Sequence, residues 1–324
     1  MINIFTEENE QTVHVICKWL EKNQEDYNLI YPDSLDFTLS IGKLEKGFSK
    51  GLSWCNIETD LFWYRRGSLN LMSHFAKKKG LNEIHRFKTQ LEYETLENYI
   101  YGLIEKRRNF GTYGNAELNR LLTFDIAEKN NLQTPNYIVT NLKTDLDKFI
   151  ETNQKIIVKS LANGIFQFKR NLLYTSFTKL FTANDFRRLP EFFFPTLFME
   201  YIKKDFEIRI FYIKGKFYSC AIMSQSNKKT RLDFRNYDLE YPNRFAPYKI
   251  PSEIASKLKK VIRFFKLKTC SIDMIVNTQG EFFFLEINPV GQFGFIGYPC
   301  NYYLEKKLAE ELINSKKKLI YEGK

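Results

Sequence analysis

The sequence is poor in the residues that build disulfide frameworks and metal clusters. Its five cysteines (Cys17, Cys55, Cys220, Cys270, Cys300) are scattered, odd in number and never in a C-x-x-C pair. Neither a disulfide framework nor a zinc cluster is expected, and a reducing cytoplasm is the default setting. The three histidines, His14, His74 and His85, lie far apart, which argues against a His-rich metal site. No apolar run approaches the ~18–20 residues that a membrane span needs. The opening Met1–Glu8 has neither the basic start nor the long apolar stretch of a signal peptide. There is no repeat of fixed period and no low-complexity tract.

Aromatic residues are abundant, with 30 Phe and 19 Tyr in 324 residues. A chain this apolar can offset the entropy of ordering, so it is not disordered. The length suits two or three lobes rather than one core. With 49 Lys+Arg against 38 Asp+Glu, the formal charge is +11. That excess suits a nucleic acid through counterion release. It equally suits acidic substrates such as nucleotides and carboxylate-rich peptides, or a solvated Lys-rich surface.

The N-terminal third reads as mixed α/β. Strands are expected at Ile2–Phe5, Asp36–Ile41 and Leu61–Tyr64. A helix is expected over Gln11–Lys22, and mostly helical chain between Leu69 and Lys106. The glycine-punctuated Asn109–Gly114 marks a boundary. The middle segment reads as a helix near Glu117–Lys129, a strand Tyr137–Thr140, a helix near Thr144–Glu151 and a strand Lys155–Lys159. A turn at Asn163–Gly164, a strand Asn171–Thr175, a helix Ala183–Leu189 and a Phe-rich run Phe192–Phe194 follow. Beyond Pro195 the chain reads as sheet-rich. Phe206–Ile213 and Phe217–Met223 flank a hairpin signal, Lys214–Gly215–Lys216. Ser224–Pro247 reads as a polar loop or lid and Ser252–Phe265 as an amphipathic helix. Strands Ser271–Asn277 and Glu281–Ile287, a helix Tyr302–Ile313 and a frayed tail Lys316–Lys324 complete the chain. The domains expected are 1–114, 115–194 and 195–324.

The most informative stretch runs from Ser271 to Asn288. A two-residue turn at Gln279–Gly280 would pair Thr278 with Glu281 and, counting outward, Asp273 with Glu286, Cβ atoms ~4.5–5.5 Å apart. Asn288 lies two residues past Glu286 on the same strand face. The other face (Ile272, Met274, Val276, Phe283, Leu285, Ile287) is wholly apolar. Two carboxylates and an amide converging at the end of a buried hairpin are hard oxygen ligands that suit Mg²⁺ with substrate phosphates. The plainer alternative is an exposed face whose acids pair with lysines.

Other charged positions are less decided. Lys159, ending Ile156–Ile157–Val158, can reach a phosphate as a point charge or snorkel from a sheet edge. Glu207 and Arg209 share one strand face and suit either a surface ion pair or the ribose and phosphate of a nucleotide. Arg235, in Asp233-Phe234-Arg235, can clamp a carboxylate or phosphate bidentately, or be solvated. Trp63-Tyr64-Arg65-Arg66 ends a strand with basic residues that would discourage edge pairing.

Together these segments resemble the ATP-grasp superfamily, and more narrowly the microviridin-type ligases that macrocyclise ribosomal peptides, the graspetide (grasp-with-spasm) maturases. The resemblance rests on Trp63-Tyr64-Arg65-Arg66, Asn119-Arg120-Leu121-Leu122, Val158-Lys159-Ser160 and Met199-Glu200-Tyr201-Ile202-Lys203-Lys204. It rests further on Glu207-Ile208-Arg209, on Ser224-Gln225 with Asp233-Phe234-Arg235, and on Ser271-Ile272-Asp273 with Leu285-Glu286-Ile287-Asn288-Pro289-Val290-Gly291-Gln292-Phe293. Glu-x-Asn alone is weak, but the Asp thirteen residues before Glu286 and the Gly-Gln-aromatic after it make the last segment the most specific. Asn119-Arg120 stands where relatives carry Asn-Lys, and Asp-Phe-Arg where Asp-Trp-Arg is usual. Arginine at position 120 keeps the charge but not the shape.

The resemblance implies an α/β (α+β) ATP-grasp fold of three lobes, with the nucleotide between two β-rich subdomains. It implies ATP and Mg²⁺ as cofactors, with metal ligands Asp273, Glu286 and Asn288. Arg120 and Lys159 fall on phosphate positions. Glu200, or the backbone of Tyr201 and Ile202, falls on adenine and Glu207 on ribose. Arg209 falls on the transferred phosphate or substrate carboxylate and Arg235 near the acyl acceptor. Asp233 is a candidate base only because it neighbours Arg235. Peptide contacts are expected at Arg65, Arg66, Asp185 and Arg188.

The implied reaction phosphorylates Asp or Glu side chains of a ribosomal precursor peptide, with a leader and an acidic core. Ester or amide crosslinks to Ser, Thr or Lys then form. Nucleic acid and membrane have no part in it, and a homodimer is compatible with it. Two rivals stand beside this reading. One is an ATP-grasp ligase for free amino acids or short peptides, like glutathione synthetase or D-alanine–D-alanine ligase. The other is a non-enzymatic basic nucleic-acid-binding protein, which would leave Asp273, Glu286 and Asn288 without a purpose.

Overall fold

The computed structural model describes residues 1–31, 39–44, 47–52, 55–69, 82–107, 109–162, 165–167, 173–175 and 177–322. Of the expected features, residues 36–38, part of the helical stretch before residue 82, the Asn163–Gly164 turn and Asn171–Leu172 lie outside these residues. The chain divides into two compact units. One comprises Met1–Glu117, Leu267–Cys270 and Asn288–Lys324, the other Leu118–Lys266 and Ser271–Ile287.

The first unit is built on β1 (Ile2–Phe5), followed by α1 (Gln11–Lys22), β2 (Tyr27–Ile30), the hairpin β3 (Leu39–Leu44)–β4 (Gly47–Leu52), β5 (Leu61–Tyr64) and α2 (Glu83–Glu105). β1 runs parallel between β2 and β5, Ile2 opposite Tyr27 on one side and Leu61 on the other. All four β1 residues are buried, as expected of a central parallel strand covered on both faces. α1 buries Val13, Ile16, Cys17 and Leu20, the i, i+3, i+4, i+7 stripe that the sequence predicts. β5 contributes Phe62 to a core with Phe5, Ile30, Ile100 and Ile104.

The second unit opens with α3 (Arg120–Lys129), whose first turn is capped by Asn119 accepting from Leu122 N–H at 3.1 Å. β6 (Tyr137–Leu142), α4 (Lys143–Asn153), β7 (Ile156–Lys159), the hairpin β8 (Ile165–Gln167)–β9 (Leu173–Thr175), β10 (Lys179–Phe181), α5 (Ala183–Arg188) and β11 (Phe192–Glu200) follow. A four-stranded antiparallel sheet runs in the order β10-β7-β11-β6. The Phe-rich run and Pro195 belong to β11. The proline falls where the β11–β6 register shifts, between Phe192 and Thr196, a place where a missing ladder N–H is tolerated. β12 (Lys204–Ile213), β13 (Lys216–Met223), β14 (Arg244–Tyr248), α6 (Ser252–Phe264), β15 (Thr269–Asn277) and β16 (Phe282–Asn288) complete this part of the chain. Their five strands form a sheet in the order β14-β13-β12-β15-β16.

Lys214 and Gly215 both have positive φ and join β12 to β13 in a two-residue loop, the geometry of a type I′ turn. The polar segment expected over Ser224–Pro247 ends in a strand instead. β14 pairs along β13, Ala246 opposite Ala221, a register the sequence conceals because β14 carries Pro247 and alternates weakly. The last helix also differs from expectation. After a short α7 (Gly294–Gly297), α8 runs from Leu304 through Glu322, so the lysines at 316–318 continue the helix, for which their propensity is good. α8 packs on α1 and β5, so residues from Asn288 onward group with the N-terminal unit.

The turn between β15 and β16 holds three residues, not two. Asn277 O accepts from Gly280 N–H and Asn277 N–H donates to Glu281 O, each at 3.0 Å. The Asn277 side chain adds a second reason for this turn, its Oδ1 accepting from Gln279 and Glu281 N–H. Gly280 sits at φ +82°, where an L side chain is strained though nothing lies in its way. Gly280→Ala is therefore expected to lower stability by ~1 kcal/mol, readable in a denaturant titration; an unchanged midpoint would contradict this turn. The register counted from a two-residue turn does not follow, and the meeting of Asp273 and Glu286 has to be read from their surroundings.

Candidate functional site

The second unit contains a cleft of about 690 Å³, open to solvent, lined along its length by Ile157, Met199, Leu232 and Ile275 and, at the polar parts, by Lys159, Asp273 and Glu286.

Lys159 stands at the end of β7, opposite Leu197 of β11. Its Nζ donates to Glu286 Oε2 at 3.1 Å, and Arg120 Nη2 lies 3.1 Å from the same oxygen. No donor among the described residues reaches Glu286 Oε1. Burial by itself would raise the Glu286 carboxyl, but Lys159, Arg120 and Arg235 overcome it and hold the group far below the usual carboxylate range. Burial, reinforced by Arg120 and Arg235, lowers the Lys159 ammonium against the pull of Glu286. Arg120 keeps two further donors: its buried Nε and Nη1 have no partner among the described residues. Guanidinium donors suit anionic oxygens.

On β12, Glu207 and Arg209 lie two residues apart on one strand face. Arg209 Nη1 donates to both carboxylate oxygens of Asp273 at 2.7 Å. Burial pushes Asp273 upward, Arg209 opposes it, and neighbouring Glu286 adds to the rise. Asp273 and Glu286 both line the cleft, though the pairing counted from a two-residue turn does not hold.

Glu207 is buried and its Oε1 accepts from Lys204 Nζ at 2.8 Å and Ser224 Oγ at 2.9 Å. Burial raises its carboxyl above the ordinary range in spite of Lys204. Its second oxygen has no donor among the described residues and is free for a ligand hydroxyl. Asp233 accepts from the backbone N–H, Nε and Nη2 of Arg235 and from Thr178 N–H. Burial works against these donors, yet they hold Asp233 down to about 2. A carboxylate so occupied is a poor proton acceptor, and the geometry makes it the holder of Arg235.

The shift has a consequence with a definite sign. A carboxyl depressed from 3.8 to about 2 contributes stability fully above pH 4 and loses it as pH falls toward 2. The contribution is about 2 kcal/mol. Acid titration of Asp233→Asn should be flatter between pH 4 and 2 than that of the parent, and parallel titrations would contradict the assignment.

At the hinge after β11, Glu200 N–H donates to Asn136 O and Tyr201 N–H to Lys155 O. The Glu200 carboxylate accepts from Asn136 N–H. No protein acceptor engages the Ile202 N–H among the described residues. Of the three hinge residues singled out in the sequence, Ile202 is thus the one with a backbone donor to offer. Asn288 closes β16 two residues after Glu286, and its Oδ1 accepts from Val290 N–H at 3.1 Å.

The four residues expected to meet the peptide lie in different settings. Asp185 caps α5, exchanging hydrogen bonds with Thr182, and pairs with Lys179 at 2.7 Å. Arg188 is exposed at the end of that helix. Arg65 is buried in the first unit, only 2% exposed, so it offers no face to a peptide. Arg66 is part-buried and paired with Glu10 at 2.6 Å.

No family profile and no curated protein matches the sequence. Solved structures do match over nearly the whole chain. The macrocyclase MdnC bound with precursor peptide MdnA, from Microcystis aeruginosa, is 21% identical with a TM-score of 0.76, covering 97% of this chain and 99% of its own. The Chryseobacterium gregarium RiPP-associated ATP-grasp ligase, in complex with ADP and a leader and core peptide, is 20% identical with a TM-score of 0.80, covering 97% and 96%. The ATP-grasp ligase PsnB, complexed with a minimal precursor, Mg and ADP, is 16% identical with a TM-score of 0.75, covering 97% of each chain. This chain has the ATP-grasp fold. Within it, the sequence reading gives no role to Lys204, Ser224 or Thr178. Nothing local shows that a lysine at a strand start will be buried against Glu207. Among the described residues no helix is long and apolar enough to cross a membrane.

Proposed function

We propose that this protein is an ATP-dependent, Mg²⁺-requiring ligase that joins Asp or Glu side chains of a ribosomal precursor peptide to Ser, Thr or Lys of the same peptide. The observation that carries this reading is the cleft lined by Lys159, Arg235, Asp273 and Glu286, where Arg120 pairs with Glu286 and Arg209 with Asp273. Such an arrangement suits a polyphosphate accompanied by a divalent cation.

The donor set fits magnesium. Among the described residues no cluster of three or more His, Cys, Asp or Glu occurs, so the cation would take Asp273 and Glu286, which line the cleft, together with phosphate oxygens. Magnesium is characteristically held by one or two carboxylates plus substrate phosphates. When bound, it supplies neutralisation of the phosphate charge. Lys159 and the spare donors of Arg120 bind the phosphates. The free oxygen of Glu207 accepts a ribose hydroxyl, and Ile202 N–H meets the adenine edge.

The γ-phosphate then passes to the peptide carboxylate, leaving ADP and an acyl phosphate. A hydroxyl or amine attacks that carbonyl and phosphate departs, a net loss of one water per crosslink. Phosphoryl transfer needs mostly positioning and charge compensation. Arg209 and Arg235 provide the charge, Arg235 kept cationic by the Asp233 carboxylate. The +11 charge favours a peptide with an acidic core, and α5 with Arg188 offers an exposed face for its leader. MdnC, the Chryseobacterium ligase and PsnB, each solved with peptide, lend this reading its support.

The test is incubation with Mg-ATP and a leader-bearing peptide rich in Thr, Ser, Lys, Asp and Glu, encoded beside this chain. Stepwise losses of one water with matching ADP release are expected. ADP release driven by free amino acids instead would favour the small-substrate ligase, and salt-sensitive nucleic-acid binding without Mg-ATP affinity would reject both.

A further inference from the structure

One buried ammonium stands between two parts of the proposed chemistry. Lys204, the first residue of β12, is 5% exposed and lines the cleft together with Glu207, Leu232, Asp233 and Arg235. All of these residues belong to the second unit. The Lys204 Nζ donates to Glu207 Oε1 at 2.8 Å and to Leu232 O at 3.1 Å. The first partner is the carboxylate proposed for the ribose. The second is the backbone that leads directly into Asp233-Phe234-Arg235.

The loop after β13 is fastened to this pair twice. Ser224, fully buried, donates from Oγ to the same Glu207 oxygen at 2.9 Å. Its carbonyl accepts from Thr230 Oγ1 at 3.2 Å, and Arg231 N–H donates to Asn227 O at 2.9 Å. The chain therefore leaves Glu207 at Ser224, turns, and comes back to it through Lys204 at Leu232. Beyond Leu232, Asp233 accepts from Thr178 N–H and from Nε and Nη2 of Arg235. The path from the ribose acceptor to the Arg235 guanidinium runs through Lys204, Leu232 and Asp233, and each step is a hydrogen bond or a peptide bond. Its side-chain links are charge-assisted, the stronger class of hydrogen bond.

We propose that Lys204 is a positioning residue that couples the ribose of the nucleotide to Arg235. A ribose hydroxyl on the second oxygen of Glu207 fixes the carboxylate, the carboxylate fixes the ammonium, and the ammonium fixes the loop that carries the arginine. The inference rests on the reading of Glu207 as the ribose acceptor and of Arg235 as an arginine facing the acyl group. Lys204 itself touches no reacting atom. A seated nucleotide thereby orders the charge that the peptide carboxylate meets.

The test compares ADP with dideoxy-ADP, which lacks both ribose hydroxyls, on the full chain in EDTA. Calorimetry gives the affinities, and hydrogen exchange read by mass spectrometry follows peptides spanning residues 229–237. The parent is expected to bind ADP about 10-fold more tightly, the size of one hydrogen bond to a charged group. At saturation, ADP is expected to slow exchange over residues 229–237 about 5-fold more than dideoxy-ADP does, the lower end of ordinary coupling between sites. Lys204→Met should abolish that difference. Ser224→Ala leaves the ammonium on both of its partners and should keep it. A lysine with a purely structural role would instead speed exchange in both complexes alike and leave the difference in place. If folded Lys204→Met keeps the difference, the coupling is overturned and Glu207 retains the ribose. The same follows if the parent prefers ADP yet shows no difference in exchange, a comparison that needs no variant to fold. If the parent binds the two nucleotides equally, the ribose reading falls and the coupling falls with it.

Discussion

Glu286→Gln is expected to remove the dependence of nucleotide binding on Mg²⁺ while strengthening binding of metal-free ADP. The substitution keeps shape and takes away one charge. Glu286 answers Lys159 and Arg120 through a single oxygen, each at 3.1 Å, and its carboxyl is held far below the usual range by those cations. Without it, two buried cations lack an anion. The ligand-free chain should lose roughly 3–5 kcal/mol, the scale of breaking a buried pair from one side. A diphosphate supplies the missing charge, so ADP alone should raise the melting temperature of the variant more than that of the parent. The loss of a ligand carboxylate should weaken Mn²⁺ in the ADP complex by ~100-fold or more, since even outer-shell changes cost ~10–100-fold. Thermal shift with ADP in EDTA and a Mn²⁺ titration check both. A variant with the parent's Mg²⁺ dependence would remove Glu286 from the metal.

Lys204→Met is expected to destabilise the chain by roughly 3–5 kcal/mol. The Lys204 and Glu207 side chains are 4% and 10% exposed and lie 2.8 Å apart. Lys204 also donates to Leu232 O, which ties the β12 start to the loop before Asp233. Methionine fills the same space and leaves only the Ser224 hydroxyl to answer the carboxylate. Burial already raises Glu207 with the lysine present, and in the variant Lys204 no longer opposes that rise. Adding Glu207→Leu should restore most of the stability, because replacing both members of a buried pair is far milder than stranding one. The nucleotide site would remain impaired in the double variant, for Glu207 is the proposed ribose acceptor. Denaturant midpoints of the single and double variants decide this; equal midpoints for Lys204→Met and the parent would contradict a buried pair.

Much of this arrangement is legible in the sequence because it depends on strand and helix periodicity. Val13, Ile16, Cys17 and Leu20 mark α1, and Ile2–Phe5, apolar but for Asn3, marks a covered strand. The Lys214–Gly215 pair identifies its turn because few residues tolerate two successive positive φ values. Asp273 and Glu286 stand out as acids interrupting apolar strands. Other features depend on partners remote in sequence and leave no local trace. The three-residue turn at 278–280 arises from the Asn277 side chain holding two backbone N–H groups, which pattern counting does not weigh. Arg65 looks like a surface residue at a strand end, and its burial follows only from Gly291 and Gln292, more than two hundred positions away. β14 becomes a strand by pairing with β13, not by its own alternation. Asp233 looked like a candidate base beside Arg235, and only the count of its donors reassigns it.

The central claim is that the cleft of the second unit takes a nucleotide together with magnesium. Calorimetric titration of the parent chain with ADP, with and without Mg²⁺, tests it most directly. Tighter binding with Mg²⁺, by ~10-fold or more as expected when a metal bridges carboxylates and phosphates, is the predicted result. Equal affinities in the two buffers, or no heat of binding at all, would contradict it.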